Sequence, residues 1–420
     1  MTSIKDALRR IKAELAQLLP DDLISTAACD AGLAWRQRLL TPATTTHLFL
    51  AQVLHGNPAA GHLRHLCGLD FSDAAYCQAR ARLPFGFFWR LQRLATGRLA
   101  AGGRDGRWRG HRTFHIDGSS FSMPDTDELR QEFGQPGNQA PGCGFPTAHL
   151  LVLFEAHSGF LHKAVAAPLH THDLRHAPVM HAELAPGDVL VGDRAFGSYA
   201  HLALCRGRGL HALFRLHQRR PRGARRDRRV VYRKPRQRPA WLGAERYAAL
   251  PEGLPVRELR VRVGTPGGRT RALTLVTTLL DRRRYPARAL AALYGARWQV
   301  ETNLRHLKQT LGMDVLRCQT LPGVLKELAM FVVAYNLVRR VMCQAARRQG
   351  VAPGRISFVD ALRWLRCARP GEEVPRLRVN PERPGRHEPR AKKRRAKPYD
   401  LMRRPREELR QKLFKKRPAA

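Results

Sequence analysis

Four side chains near the middle of the chain have the types and spacing to hold a phosphodiester: Tyr294, Arg297, Glu301 and Lys308. Two, three and six residues separate them in turn, and at 3.6 residues per helical turn this brings all four onto one face. A phenol, two cations and a carboxylate make a poor core face, but they suit a metal ion beside a phosphate. The same spacing equally fits a solvated helix face with an Arg297–Glu301 pair at i, i+4.

Two further carboxylates lie upstream at the ends of predicted strands. Asp117 ends a short alternating strand that begins at Thr113, and Asp193 follows the apolar strand Val189–Val191. A lone Asp before a glycine-permitted bend is commonly a turn or helix cap. Together with Glu301, however, the two make a set of three acids. Converging carboxylates repel one another, so such a set is costly unless cations occupy it.

These segments resemble an insertion-sequence transposase of the Asp-Asp-Glu type, in the group marked by a Tyr-Arg-Glu-Lys motif, the insertion-sequence-four family. The matching pieces are HIDGSS around Asp117, VLVGDRAFGSY around Asp193 and YGARWQVETNLRHLK around Glu301. The likeness runs from residue 107 to about residue 405, and the third segment is the most specific. The resemblance implies cut-and-paste DNA transposition through a hairpin intermediate, carried out by a homodimer in a synaptic complex on double-stranded DNA.

Metal-assisted phosphoryl transfer is the chemistry that three acids suit. Two Mg²⁺ ions, for which Mn²⁺ can substitute, prefer oxygen ligands and could hold the attacking and leaving oxygens. Our hypothesis makes Asp117 the ligand shared by both ions, with Asp193 on one ion and Glu301 on the other. Five nearby acids are not expected to bind the metal ions. Asp125 and Asp127 are predicted in a loop and Asp173 at a helix cap. Asp188 begins the strand that Asp193 ends, and Asp314 lies off the helix face that carries the motif residues.

The same resemblance implies that the remaining motif residues contact DNA. Arg297 and Lys308 would bind phosphates near the cut, Arg297 through two donors and Lys308 as a point charge. Tyr294 would donate a hydrogen bond to a neighbouring phosphate. Trp298 has two interpretations, stacking on an unstacked base or packing within the protein.

Composition indicates a nucleic-acid partner. The 420 residues include 75 Lys and Arg against 34 Asp and Glu, a net charge of +41. A GC-rich genome would also favour arginine, but it would not prevent acids from balancing it. Such charge favours a polyanionic partner, and nucleic acid above all. The resemblance implies that this partner is double-stranded DNA, as terminal inverted repeats and as target DNA.

Other features argue against secreted and membrane classes. The eight cysteines form no C-x-x-C pair, which argues against a zinc ribbon, and reduced thiols are expected. The closely spaced His170, His172 and His176 are predicted at the surface or in a loop, without a cysteine or acid cluster to complete a metal site. The apolar run Leu328–Val338 is too short to cross a bilayer. No secretory signal is expected, and the predicted location is the prokaryotic cytoplasm, associated with the nucleoid.

The chain is predicted to divide into three regions. Residues 1–105 form a helical DNA-binding domain, either a helix-turn-helix or a plain bundle. Residues 106–369 form an α/β, RNase H-like (retroviral-integrase-like) catalytic core with a β-rich insertion at about 211–282. Residues 370–420 form a basic Pro/Arg-rich tail.

The order of elements supports the predicted core. Strands at Thr113–Asp117, Thr147–Glu155 and Phe160–Pro168 precede a helix at Asp173–Leu184 and then the Asp193 strand. In an RNase H-like fold the first and fourth strands lie side by side, so the two aspartates would meet. A single helix over residues 286–311, beginning near Pro286, would then deliver Glu301.

Two further segments are predicted to place arginines in solvent. The helix Ser72–Arg82 would begin with Ser72 as its N-cap and turn Gln78, Arg80 and Arg82 outward. The arginine run Arg219–Arg229 is either a phosphate-binding loop or a solvated loop tip.

Two other functions remain open at this stage. An RNase H-like nuclease or resolvase would cut DNA without joining it, and a transposase relic would bind DNA without catalysis. The three acids argue against a relic, and the basic region that precedes the core argues against a bare nuclease.

Overall fold

The computed structural model describes residues 20–36, 38–100, 106–137, 140, 142–216, 227–263, 271–368, 372–381 and 403–415. The basic run at 392–395 and most of the arginine run, residues 219–226, lie outside the described residues. So do residues 264–268, whose sequence Gly-Thr-Pro-Gly-Gly predicts a hairpin turn.

One mixed sheet of eight strands organises the molecule, in the order β3-β2-β1-β4-β5-β8-β7-β6. Strand β1 pairs in parallel with β4, which pairs in parallel with β5; the other neighbours are antiparallel. The side-by-side placement of the first and fourth strands is therefore confirmed, and the fold is consistent with an RNase H-like core. The strands are β1 Thr113–Ser122, β2 Thr147–Glu155, β3 Leu161–Pro168, β4 Val189–Gly192, β5 His211–Arg215, β6 Asp227–Arg233, β7 Gly253–Val263 and β8 Arg271–Thr277.

Helices cover both faces of this sheet. Because side chains alternate along β1, Phe114 and Ile116 lie on one face of the sheet and Phe121 on the other. The first two belong to one apolar cluster and Phe121 belongs to a second. The described α-helices are α1 Asp21–Asp30, α2 Pro42–Leu54, α3 Ala60–Cys67, α4 Asp73–Arg82, α5 Phe85–Ala100, α6 Asp127–Phe133, α7 Asp173–Met180, α8 Tyr199–Gly207, α9 Ala244–Ala248, α10 Ala287–Ala296, α11 Gln299–Arg305, α12 Leu321–Gln349, α13 Phe358–Cys367 and α14 Arg406–Lys415.

The predicted β-rich segment continues the core sheet. Its first strand, β5, pairs in parallel with β4 and so lies within the core order, and β8, β7 and β6 extend the sheet outward. The boundaries of 211–282 as a separate insertion remain a prediction.

The N-terminal helices share a core with the catalytic region. Phe49 of α2 and Phe87 of α5 belong to the same buried cluster as Phe154 of β2 and Val332 of α12. Residues 97–110 are rich in Gly and Arg, which predicts a linker, but the segment is helical up to Ala100. Burial of these helices against α12 therefore fixes their position relative to the sheet.

Helix α4 begins as predicted, but one of its arginines does not point outward. Ser72 caps the helix by accepting a hydrogen bond from the Ala75 amide at 3.1 Å. Arg80 instead lies over the Phe49 ring, 3.6 Å from its centroid, and donates to Gln52 Oε1 at 3.2 Å. The cation–π contact and the amide acceptor explain why the guanidinium is held inside.

One buried carboxylate on α12 ties the N-terminal helices to the central helical region. Glu327, 1% exposed, accepts a hydrogen bond from the Asn57 side chain at 2.6 Å. It also accepts the amides of Arg317 and Cys318 at 3.0 and 2.9 Å. Buried carboxylates require such compensation, which Glu327 obtains from two separate parts of the chain.

Helix α12 has the length and apolar composition of a membrane span, but 78% of its apolar window is buried inside the protein. Its 29 residues include the predicted apolar run. That burial is typical of a core helix, and α12 is one, since its apolar residues pack against both the N-terminal helices and the sheet.

Candidate active site

Asp117 lies in the middle of β1 and not at its end. It pairs with Val152 of β2, and the strand continues to Ser122, so the predicted bend after it is wrong. Gly118 has a different reason to be glycine: a Cβ there would lie 2.5 Å from Asp173 Oδ1. Because successive side chains alternate, Asp117 points to the face opposite Asp173.

Asp193 follows β4 directly, as predicted. His115 of β1 is in register with Val191 of β4, and the two aspartates each come two residues later, so both lie at the same edge of this parallel pair. Asp193 Oδ1 also accepts the Ala195 amide at 2.7 Å and so caps a 3₁₀ turn, Arg194–Phe196. Asp193 therefore both caps the 3₁₀ turn and lies at the same sheet edge as Asp117.

The helix that carries Glu301 is divided, whereas a single helix was predicted. Helix α10 ends at Ala296 and α11 begins at Gln299, and between them the amides bond to carbonyls three residues back, including Glu301 N to Trp298 O at 3.2 Å. A π-helical turn, His306–Thr310, then carries Lys308. The backbone is wound more tightly between α10 and α11 and more loosely in the π-helical turn. Both changes alter the angular positions of the motif residues around the helix axis, and uniform helical spacing cannot predict them.

Arg297 lies between two of the three acids. Its Nη1 donates to Asp117 Oδ2 at 3.2 Å, and its Nη2 donates to Glu301 Oε1 at 3.4 Å. Lys308 Nζ donates to Ser119 Oγ at 3.2 Å, two residues along the same face of β1. Arg297, Glu301 and Lys308 thus all face the Asp117 side of the sheet.

The electrostatics of Asp117 reflect this crowding. Burial raises its pKa to about 6, the Arg297 guanidinium and the Gly118 amide act in the opposite direction, and the charges of Asp193 and Glu301 raise it further. The two other acids are therefore within electrostatic reach of Asp117. A cation that joined them would relieve this repulsion.

The three acids do not yet form a tight ligand cluster. Within the part of the chain that the structure describes, the one set of three His, Cys, Asp or Glu ligand atoms within 4.8 Å of one another is His181, His201 and Cys205. Arg297 Nη1 and Nη2 instead occupy the contacts of Asp117 and Glu301. The donor set itself, carboxylate oxygens from three elements, fits a hard divalent cation such as Mg²⁺.

The two aromatic motif residues differ in exposure. Tyr294 is buried at 6% exposure in an apolar cluster with Val191 and Leu213, and the Arg297 guanidinium lies 5.9 Å from its ring centroid. Trp298 is 42% exposed. The Tyr294 ring packs within the protein core, whereas the Trp298 indole is exposed to solvent beside Arg297.

The rival acids have other surroundings. Asp188 pairs with Arg112, Asp125 pairs with Arg130, and Asp173 Oδ1 contacts His149 Nε2 at 2.7 Å. The backbone carbonyl of Asp314 accepts the Ser122 amide at 2.9 Å, and Asp127 pairs with Arg130.

Sequence reasoning missed three features near the aspartates. Ser119 accepts a hydrogen bond from Lys308, and the only sequence signal for this contact was the pair of serines after Gly118. His115 is 1% exposed, two residues before Asp117, and burial followed by the charge of Arg297 lowers its pKa to about 3. The His181–His201–Cys205 cluster also escaped notice, although the i, i+4 spacing of His201 and Cys205 places both on one helix face.

Comparisons with known proteins agree with the motif. A family model described as "Transposase DDE domain" matches residues 108–337, more than half of the chain. The transposase InsG for insertion sequence element IS4 of Escherichia coli K12 is 32% identical over 130 residues, which is 29% of each chain. The protein InsZ of the same organism is 29% identical over 127 residues, 30% of this chain and 42% of InsZ. The chain thus spans less than half the length of these relatives.

A solved structure was also matched. A piggyBac transposase synaptic complex with hairpin DNA aligns with 86% of this chain and 79% of its own, at a TM-score of 0.44 and 10% identity.

Proposed function

Because this chain belongs to the family of transposases with a DDE domain, of the insertion-sequence-four type, we propose that it catalyses cut-and-paste transposition of an insertion sequence. Asp117, Asp193 and Glu301 are the proposed catalytic residues. Hydrolysis would break a bond between phosphorus and a 3′ oxygen at the transposon end and leave a 3′-hydroxyl. That 3′-hydroxyl would attack a phosphate of the opposite strand and displace a 3′ oxygen of the flanking DNA, which gives a hairpin. A second water would open the hairpin and restore the 3′-hydroxyl, which would then attack a phosphate of target DNA and displace a 3′ oxygen there.

The observation that carries the proposal is the Arg297 bridge between Asp117 and Glu301, beside the parallel β1–β4 pair that ends near Asp193. The bridge brings acids from separate elements to one guanidinium. Coulombic repulsion from Asp193 and Glu301 already acts on Asp117. This is the electrostatic arrangement expected of acids that share cations.

Asp117, Asp193 and Glu301 would hold two Mg²⁺ ions, for which Mn²⁺ can substitute. Bound there, the ions would act as Lewis acids toward the attacking and leaving oxygens. Carboxylate oxygens are the ligands that these cations prefer. The division of the acids, with Asp117 shared, is part of the proposal.

Arg297 would change partners when DNA binds. A guanidinium forms bidentate contacts with phosphate as readily as with carboxylate, so a DNA phosphate would draw it from Asp117 and Glu301. The two acids would then be free to converge. Lys308 would contact a second phosphate, Tyr294 would donate to a third through its hydroxyl, and the exposed Trp298 would stack on an unstacked base.

The proposed partners are transposon terminal inverted repeats and target DNA, bound by a homodimer in a synaptic complex. The net charge of +41 supports a polyanionic partner. Residues 1–105 are proposed as the helical DNA-binding region, 106–369 as the RNase H-like catalytic region and 370–420 as a basic tail. The proposed location is the prokaryotic cytoplasm, at the nucleoid.

A strand-transfer assay tests the proposal. The full chain is mixed with a pre-cut transposon end, a plasmid target and Mg²⁺, and joined product is measured. Asp193→Asn should lower the joining rate on the order of 100- to 1000-fold, because one charged ligand is lost with little change in shape. Glu245→Gln, an exposed change on α9, is the matched control and should join at the wild-type rate.

Each outcome has a meaning. Joining by wild type and by Glu245→Gln, lost in Asp193→Asn, supports the transposase. Cutting of an uncut end without joining indicates a nuclease, and DNA binding without either reaction indicates a binding protein. Wild-type joining by Asp193→Asn would show that the acid assignment is wrong.

A further inference from the structure

A second polar cluster is sealed on the other face of the sheet. Helix α8 carries His201 and Cys205 one turn apart, and His181 begins the 3₁₀ turn that follows α7. Their exposures are 1% for His181 and 0% for the other two. The surrounding cluster is apolar, with the Phe214 ring stacked on His201 at 5.2 Å. Three such side chains pointing at one another in an apolar interior require an explanation.

The distances between their ligand atoms match the edges of a tetrahedron. Zinc bound through nitrogen at about 2.0–2.1 Å and sulfur at about 2.3 Å would set two nitrogens about 3.3 Å apart and nitrogen and sulfur about 3.6 Å apart. The Nε2 atoms of His181 and His201 are 3.0 Å apart. Cys205 Sγ lies 3.6 Å from His181 Nε2 and 3.8 Å from His201 Nε2.

The tautomer of His201 is already the one that a metal needs. Its Nδ1 lies 2.9 Å from the Phe196 carbonyl oxygen, which can only accept, so Nδ1 carries the proton. Its Nε2 therefore presents a lone pair toward His181 and Cys205. Ligating histidines commonly have their other ring nitrogen held by a carbonyl in this way.

We propose that His181, His201 and Cys205 form a structural site for a borderline-soft transition metal ion, Zn²⁺. Imidazole nitrogen and thiolate sulfur are the donors this ion prefers, and they differ from the oxygen donors of the acid set. Binding would release the Cys205 thiol proton to solvent. Three protein ligands leave one tetrahedral position, which a water would complete.

The site would act on the segment that follows Asp193. Phe196 lies three residues after Asp193 and ends the 3₁₀ turn that Asp193 caps. With His201 fixed by a metal, its hydrogen bond to the Phe196 carbonyl would hold this turn in place. The metal would thus have a structural role, separate from phosphoryl transfer.

The test uses full-length protein purified under reducing conditions and dialysed against metal-free buffer. Metal content is measured by mass spectrometry, and the zinc-depleted protein is titrated with Co²⁺. We expect one tightly held zinc per chain and, with cobalt, a thiolate-to-metal charge-transfer band. Both should be lost in Cys205→Ala and kept in Cys143→Ala, which removes a buried thiol elsewhere.

Cobalt bound to carboxylates lacks this band, so the acid set does not interfere; Asp117→Ala should retain both zinc and band. A folded wild type with neither zinc nor band would overturn the proposal and show a metal-free hydrogen-bonded cluster. Zinc retained in Cys205→Ala would also overturn it. Should Cys205→Ala fail to fold, the wild-type cobalt spectrum alone decides.

Discussion

The two faces of the central sheet carry polar clusters of opposite character. On one face, Asp117, Glu301 and Arg297 are charged and partly exposed, with the Glu301 side chain 41% exposed. On the other, His181, His201 and Cys205 are sealed among apolar side chains. The charged set is partly open to water, whereas the sealed set is closed off from it.

Burial acts on both clusters but with different consequences. It lowers the pKa of His181 to about 3 and that of His201 to about 4, so both imidazoles stay neutral at pH 7 and tolerate the interior. It raises the pKa of Asp117 to about 6, which destabilises the charged carboxylate and increases the need for a neighbouring cation. Burial therefore keeps the two histidines in the neutral form that an apolar interior tolerates, whereas it makes the Asp117 carboxylate depend on a neighbouring cation.

Among the basic residues of the charged face, Arg297 should show the largest effect when it is replaced. Arg297→Ala removes two charge-assisted hydrogen bonds and the proposed phosphate contact, each worth about 1.5–3 kcal/mol. We expect strand transfer to fall by about 10- to 100-fold, measured with a pre-cut transposon end. Arg297→Lys should recover only part of the loss, because an ammonium cannot contact two oxygens in the same planar geometry.

Arg288→Ala, on the exposed side of α10, is the matched control and should leave joining near the wild-type rate. Equal losses in Arg288→Ala and Arg297→Ala would mean that general positive charge, and not the bridge to Asp117 and Glu301, is what matters.

Gly118→Ala should disturb the opposite face with a smaller effect. The new Cβ would lie 2.5 Å from Asp173 Oδ1 and displace the carboxylate that contacts His149. Overpacking of this kind costs about 1–3 kcal/mol, and we expect the lower end because Asp173 is a side chain that can move. Thermal unfolding measures the loss. Gly97→Ala in α5, with no atom in the described structure within 4 Å, should be neutral or slightly stabilising; equal destabilisation of both variants would contradict the packing explanation.

Lys308→Ala should give the smallest change. Loss of one phosphate contact reduces the salt dependence of transposon-end binding by about one unit of slope, measured as log K against log salt concentration. Lys308→Arg should keep the wild-type slope. An unchanged slope in Lys308→Ala would leave Lys308 bound only to Ser119 and outside the DNA interface.

Much of the core was predictable because its signals are local. The strand Thr147–Glu155 has the predicted bounds, and the order of elements, interpreted as an RNase H-like fold, placed β1 beside β4. Asp193 was placed correctly because an apolar run followed by Gly192 marks a strand end.

The errors occurred where tertiary contacts decide the structure. Gly118 suggested a bend, but it serves packing against Asp173. The helix over residues 286–311 looked continuous because its apolar spacing is regular, and nothing local signals the tightening at Arg297. Arg80 was expected in solvent because sequence does not show the Phe49 ring that covers it. The His181 cluster depends on a residue twenty positions from His201, which no short motif connects.

The Glu327 contacts limit how this protein can be recombined. Since Asn57 and the amides of Arg317 and Cys318 share one carboxylate, residues 42–100 are not an exchangeable cassette. A chimera that grafted the helical region of a relative onto this core would lose a buried hydrogen bond to Glu327, and with it stability, unless the graft supplied an amide in place of Asn57. If residues 1–105 recognise the transposon end as proposed, a new specificity would be engineered by surface substitutions and not by swapping the whole helical region.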